Sequence, residues 1–164
     1  EALVKPWKWN ELKLDYRLGL KLLRTPVIGE LMIYGMNAFL NFIMPRLTMR
    51  PFTQEEKKTY KAPFRKISSR KPMLVWPREI PINRKPLEVH YIMDHYSKQL
   101  QKSSLPKLLL YAEPGAIINS KTKNWCQENF SYLTMISVGK GLHYLPEEQP
   151  YKIGKELTEW FRRL

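Results

Sequence analysis

Two short apolar runs in the carboxy-terminal half constrain this chain most: "PKLLLYA" (106–112) and "YLTMISV" (132–138). Each is a near-continuous row of aliphatic, β-branched or aromatic residues, long enough for a buried parallel strand and short for a buried helix. Between them lie the turn "EPGA" and a helical stretch over about 119–129. After the second comes a glycine-marked loop, "GKGLHYLPEEQP" (139–150), then a last helix over about 147–163 with Ile153, Leu157, Trp160 and Phe161 on one face. The order β-turn-α-β-turn-α demands a parallel sheet. Two strands alone cannot make an independently stable one, because their outer edges stay unpaired. The back half therefore reads as the last third of a larger doubly wound α/β sheet.

The front half has a different period. Residues 10–24 place Leu12, Tyr16, Leu20 and Leu23 at three- and four-residue spacing, an amphipathic helix. Residues 28–44 repeat the pattern with a broader apolar face, and Pro45 stops it. "TQEE" at 53–56 is a capping box that starts a short helix ended by Pro63. Pro63, Pro72, Pro77, Pro81 and Pro86 predict a loop-like stretch over 63–86, with "LVWPREIPI" extended inside it. Helical periodicity resumes over 86–102, with Pro86 suited to a first turn.

Composition narrows the function classes. With 43% hydrophobic and 26% charged residues in 164, the chain is globular in character rather than disordered. No window approaches the roughly 18 uninterrupted apolar residues of a membrane span; the most apolar stretch, "IGELMIYGMNAFLNFIMP", carries Glu30. The single cysteine, Cys126, excludes an internal disulfide and any multi-cysteine metal site. It reads as a small buried residue, and a cytoplasmic setting is expected. The net charge of +13 falls in short clusters ("EEKKTYK", "RKISSRK", "WFRR") rather than one stripe. That pattern argues for scattered surface charge, or an acidic companion segment, over nucleic-acid binding.

Two residues carry candidate chemistry. In open α/β sheets, functional groups collect at the carboxyl ends of strands. His143 lies just past the strand at 132–138, and Glu113 just past the strand at 107–112. A strand-end acid followed by a strand-end histidine is the order of the last two members of a nucleophile-acid-histidine triad. His90 and His95, five apart, have the wrong spacing for a helical metal pair and read as solvent-side residues. No metal-ligand cluster is visible.

Taken together, "EALVKP", "WPREIPI", "LPKLLLYAEPGA" and "GKGLHYLPEEQPYKIGKEL" resemble the haloalkane dehalogenases, α/β-hydrolases with an Asp-His-Glu triad. "RTPVIGE", "NAFLNFIMP", "RPFTQEEKKTYKAPF" and "SRKP" extend the resemblance over almost the whole chain. It implies the carboxy-terminal part of an α/β-hydrolase fold: residues 1–4 ending a core strand, 5–85 a helical cap and its connection, and 86–164 the end of the core. His143 matches the family's general base and Glu1 its acid, with Glu113 standing where a sister branch places that acid. Leu12, Leu20, Phe39, Ile43, Leu47, Pro77, Ile80, Ala116, Ile117, Leu142 and Tyr144 match pocket and tunnel walls. The implied reactants are a halogenated alkane and water, with halide released and no metal or organic cofactor.

The family's nucleophilic aspartate, halide clamp and oxyanion hole belong to its amino-terminal half. Asp15 and Asp94, the only aspartates here, fall in helical patterns of the cap region and its exit. The chain is therefore expected to be inactive alone and to need that half, as a companion chain or a missing segment. Coelenterazine luciferases share the scaffold, so a monooxygenase is the alternative. A non-catalytic basic binding protein from a truncated gene is a third reading.

Overall fold

The computed structural model describes residues 1–164 as two compact units. One is helical and comprises Lys5–Arg46 and Pro51–Asp94; the other is α/β and comprises Glu1–Val4, Leu47–Arg50 and His95–Leu164.

In the α/β unit, strands β1 (Lys107–Pro114) and β2 (Leu133–Gly141) pair in parallel, in register from Lys107 opposite Leu133 to Tyr111 opposite Ser137. The register shifts between Tyr111 and Glu113, and both strands run further than their apolar runs predict. The crossover is the helix Ser120–Asn129, started by the Asn119 side chain, which accepts from the N–H groups of Lys121 and Thr122. Ala112, Val138 and Leu145 form a buried cluster, with Leu110 and Ile153 packed on it. Cys126 is wholly buried, as its reading requires. Leu108–Leu110 are only half-buried, where the continuous run predicts a fully covered strand. The sheet has two strands, so one edge of each is open. The expected last helix is two pieces, Leu145–Glu148 and Pro150–Phe161, because Gln149 leaves the helical conformation ahead of Pro150.

The helical unit departs more from expectation. The helix Leu14–Arg24 forms as its period dictates. The expected continuous helix over 28–44 is instead broken. Ile28–Glu30 runs into a π-helical turn, Leu31–Gly35, and a second π-helical segment, Phe39–Ile43, follows Asn37, whose φ is 48°. Asparagine tolerates that left-handed conformation, which no helix can pass through. The Thr53 box is present in both directions and starts the helix Gln54–Lys61.

The loop expected over 63–86 is the main correction. Lys71–Glu79 is a helix that carries Pro72 in its first turn and Pro77 inside. Proline at the start costs nothing, since those N–H groups have no intrahelical partner. Pro77 lies in the last turn, and the helix stops at Glu79 before the extended Ile80. Arg24, from another helix, donates to the carbonyls of Pro77 (2.9 Å) and Ile80 (2.7 Å), satisfying acceptors that the short helix leaves open. No helix is long and apolar enough to cross a membrane.

Candidate active site

The site is assembled in the α/β unit from the carboxyl ends of both strands. After β1 the chain turns at Gly115, whose φ of +61° and whose missing Cβ are both required: a Cβ there would lie 2.3 Å from the Ile118 carbonyl oxygen. The turn aims three successive N–H groups at one point, and the Glu1 carboxylate occupies it. Ala116 donates to Oε1 (3.0 Å) and Oε2 (3.2 Å), Ile117 to Oε2 (2.8 Å) and Ile118 to Oε1 (3.1 Å). This is an anion-binding concavity of backbone amides.

After β2, the loop that follows Gly141 carries His143. Its Nδ1 lies 3.3 Å from Glu1 Oε2, and the Glu1 backbone nitrogen donates to the His143 carbonyl at 3.2 Å. The Glu1 side chain is 1% exposed and the His143 side chain 30%, so the pair has a buried and an open end. Burial by itself raises the Glu1 carboxyl. The His143 ring and the Ile117, Ile118 and Ala116 amides outweigh it and hold the group below its ordinary value of 4.5. An ionised carboxylate only accepts, so Nδ1 donates in this pair, and in the neutral imidazole Nε2 then presents its lone pair.

The His143 backbone N–H donates to the Leu47 carbonyl at 2.9 Å, and that of Tyr144 reaches the same oxygen at 3.4 Å. The Tyr144 ring stands edge-on to the imidazole, 5.2 Å between centroids. Burial pushes the Tyr144 phenol up. Ala116, Ile117, Leu142, Tyr144 and Leu47 thus lie on the two loops and the segment that hold Glu1 and His143, and all five are half-buried. Among the other wall candidates, Leu12, Leu20, Phe39, Ile43 and Ile80 are half-buried and Pro77 is buried in the helical unit.

Glu113 is not brought to His143. The register shift leaves its side chain 64% exposed, paired with Lys123 at 2.9 Å. His95 is exposed as expected, whereas His90 is half-buried, with its Nδ1 enclosed. No three His, Cys, Asp or Glu side chains converge in a way that could hold a metal. One contributor escaped the sequence reading. Glu148 accepts from the Leu142 N–H at 2.8 Å and from the Met49 N–H, clamping the histidine loop. The signal available for it was a carboxylate in the first turn of the helix after the loop.

A haloalkane dehalogenase of Mesorhizobium japonicum is 36% identical over 160 residues, 96% of this chain. The crystal structure of a putative ancestral haloalkane dehalogenase superposes with a TM-score of 0.93 at 33% identity over 97% of the chain. Over almost its whole length the chain is similar to the carboxy-terminal half of haloalkane dehalogenases. A haloalkane dehalogenase of Sphingobium indicum is 33% identical over the whole chain, and the DatA enzyme of Agrobacterium tumefaciens superposes with a TM-score of 0.88 at 29% identity. No protein-family model matches. The chain spans about half the length of these relatives, 52% and 55% of the two curated dehalogenases and 56% and 55% of the two solved chains. The helices with a small parallel sheet match the carboxy-terminal part of an α/β-hydrolase fold.

Proposed function

We propose that the protein to which this chain contributes hydrolyses carbon–halogen bonds, with His143 as the water-activating base and Glu1 as the carboxylate behind it. The carrying observation is the Glu1–His143 pair, in which a carboxylate held by three backbone amides leaves the imidazole with a free Nε2. In this reading an aspartate carboxylate displaces halide from the alkyl carbon and forms an ester. Nε2 then takes a proton from water as its oxygen adds to the ester carbonyl carbon. The alcohol leaves with the proton held by the imidazole, and the second water proton is released to solvent, restoring the carboxylate and the neutral base. Glu1 fixes the tautomer and stabilises the imidazolium that forms in this step. The aspartate is assigned to an amino-terminal half of the fold, since Asp15 and Asp94 both belong to the helical unit. On the same reading this chain alone is inactive, and Leu47, Ala116, Ile117, Leu142 and Tyr144 of the α/β unit line the alkane site.

The test uses the complete protein with a brominated alkane. Bromide and alcohol are expected in equal amounts. In His143→Gln a single equivalent of bromide is expected per site, with the alkyl ester retained on the protein. Light from coelenterazine without halide release would replace this reading with the monooxygenase one.

A further inference from the structure

Most of the groups that hold His143 are accounted for by the pair with Glu1, but one half-buried arrangement is not. The loop carrying the imidazole is tied to the segment Leu47–Arg50 at three levels. The Leu47 carbonyl accepts from the His143 N–H (2.9 Å), the Glu148 carboxylate bridges the Leu142 N–H (2.8 Å) and the Met49 N–H, and Arg50 donates to the Glu147 carbonyl at 3.0 and 3.2 Å. The Arg50 guanidinium also pairs with the Glu147 carboxylate at 3.7 Å, whereas the middle tie is one carboxylate accepting from both segments. It bonds the residue immediately before His143 through Oε2 and the opposing segment through Oε1. Space is kept for it: a Cβ on Gly141 would lie 3.2 Å from Glu148 Oε2 and 2.6 Å from the Leu145 side chain.

We infer that Glu148 is a positioning residue for His143, setting the height of the histidine loop over Glu1 through its two backbone bonds; the inference rests on the reading of His143 as the base. The geometry has little slack. The Nδ1–Oε2 distance of 3.3 Å is already at the long end of hydrogen bonding, so a small outward shift of the loop releases the imidazole from its carboxylate. Leu142 and His143 are adjacent, so loss of the Leu142 acceptor loosens the loop next to the imidazole and leaves the His143 N–H bond to Leu47 as the nearest remaining tie. Only a group with two acceptor oxygens serves both N–H donors. The amide of a glutamine accepts at one end and presents N–H to N–H at the other.

Misplacing a reacting group by about 1 Å costs on the order of a hundredfold in rate. In the complete protein, Glu148→Gln is therefore expected to slow ester hydrolysis about 10- to 100-fold, while the first bromide equivalent is released at the native rate. The experiment follows bromide and the alkyl adduct mass in parallel, for the native protein, Glu148→Gln, His143→Gln and, as a control, Glu128→Gln, an exposed carboxylate of the same unit outside the junction. Adduct accumulation in Glu148→Gln and His143→Gln, but not in Glu128→Gln, supports the inference. A merely structural role would lower burst and steady state together without adduct, and that result overturns it. If His143→Gln itself retains no adduct, the base reading fails and this inference falls with it. Should Glu148→Gln not fold, Glu148→Asp carries the test. Its oxygens fall one methylene short of the two N–H groups, so adduct is again expected, and native adduct levels in that variant refute the role.

Discussion

Glu1→Gln changes one oxygen for an NH₂ at the centre of the amide concavity, and the structure fixes what that does. The better orientation keeps the carbonyl oxygen at the Oε2 position, where it still accepts from Ile117, from His143 and from one branch of Ala116. The NH₂ then replaces Oε1 and meets the Ile118 N–H donor to donor, at a side chain 1% exposed. Two large effects oppose each other. Removing the charge returns the cost of burying it, and it weakens bonds that were charge-assisted. The lowered Glu1 carboxyl decides the sign, because the folded protein prefers the ionised group over the neutral one. The size comes from the orphaned Ile118 amide, about 1–3 kcal/mol.

The pH dependence follows from the same fact. A carboxyl depressed in the folded state adds stability that is fully present above the unfolded value of 4.5 and is lost as pH falls through the lower native value. Urea unfolding of the complete protein should show a lower midpoint for Glu1→Gln at neutral pH, with the gap to the native protein closing in acid. Equal midpoints at neutral pH would refute the account of the concavity as an anion site. A gap that widens in acid would refute the sign.

Two further outcomes test the supports. Gly115→Ala places a Cβ 2.3 Å from the Ile118 carbonyl oxygen in a left-handed conformation that costs about 1–2 kcal/mol by itself. It should destabilise the protein by more than that and reduce turnover, and an unchanged melting temperature would show that the turn relaxes freely. Thr53→Ala removes the hydroxyl that accepts from the Glu56 N–H and should cost about 1 kcal/mol, read as a lower thermal midpoint with turnover intact. A native midpoint would show that this cap contributes nothing.

Legibility followed how local each signal was. The strands, the crossover helix and the Thr53 cap were readable because their determinants lie within a few residues: apolar runs, a 3.6-residue period, a Thr-Glu pair three apart. The helix Lys71–Glu79 was not. Its two prolines read as breakers, and the carbonyls that the short helix leaves open are met by Arg24, more than 50 positions away. The break in the second helix at Asn37 was likewise hidden inside a helical period. At the site, His143 was visible from its place after a strand. Glu1 and Glu113 could not be ranked by spacing, because one register shift turns Glu113 to solvent and Lys123.

What the sequence by itself determined is the material: two apolar strand runs, a histidine and a glycine-marked turn at their carboxyl ends, and helices on either side in the chain. It also carried the family resemblance, which the relatives bear out. Tertiary structure decided which acid meets the histidine, which helix survives its prolines, and which second carboxylate holds the loop. The physical reason is common to all three. Each depends on a donor and an acceptor far apart in the chain, such as Ala116–Ile118 with Glu1, Arg24 with Pro77, and Met49 with Glu148, and no periodicity records such pairs.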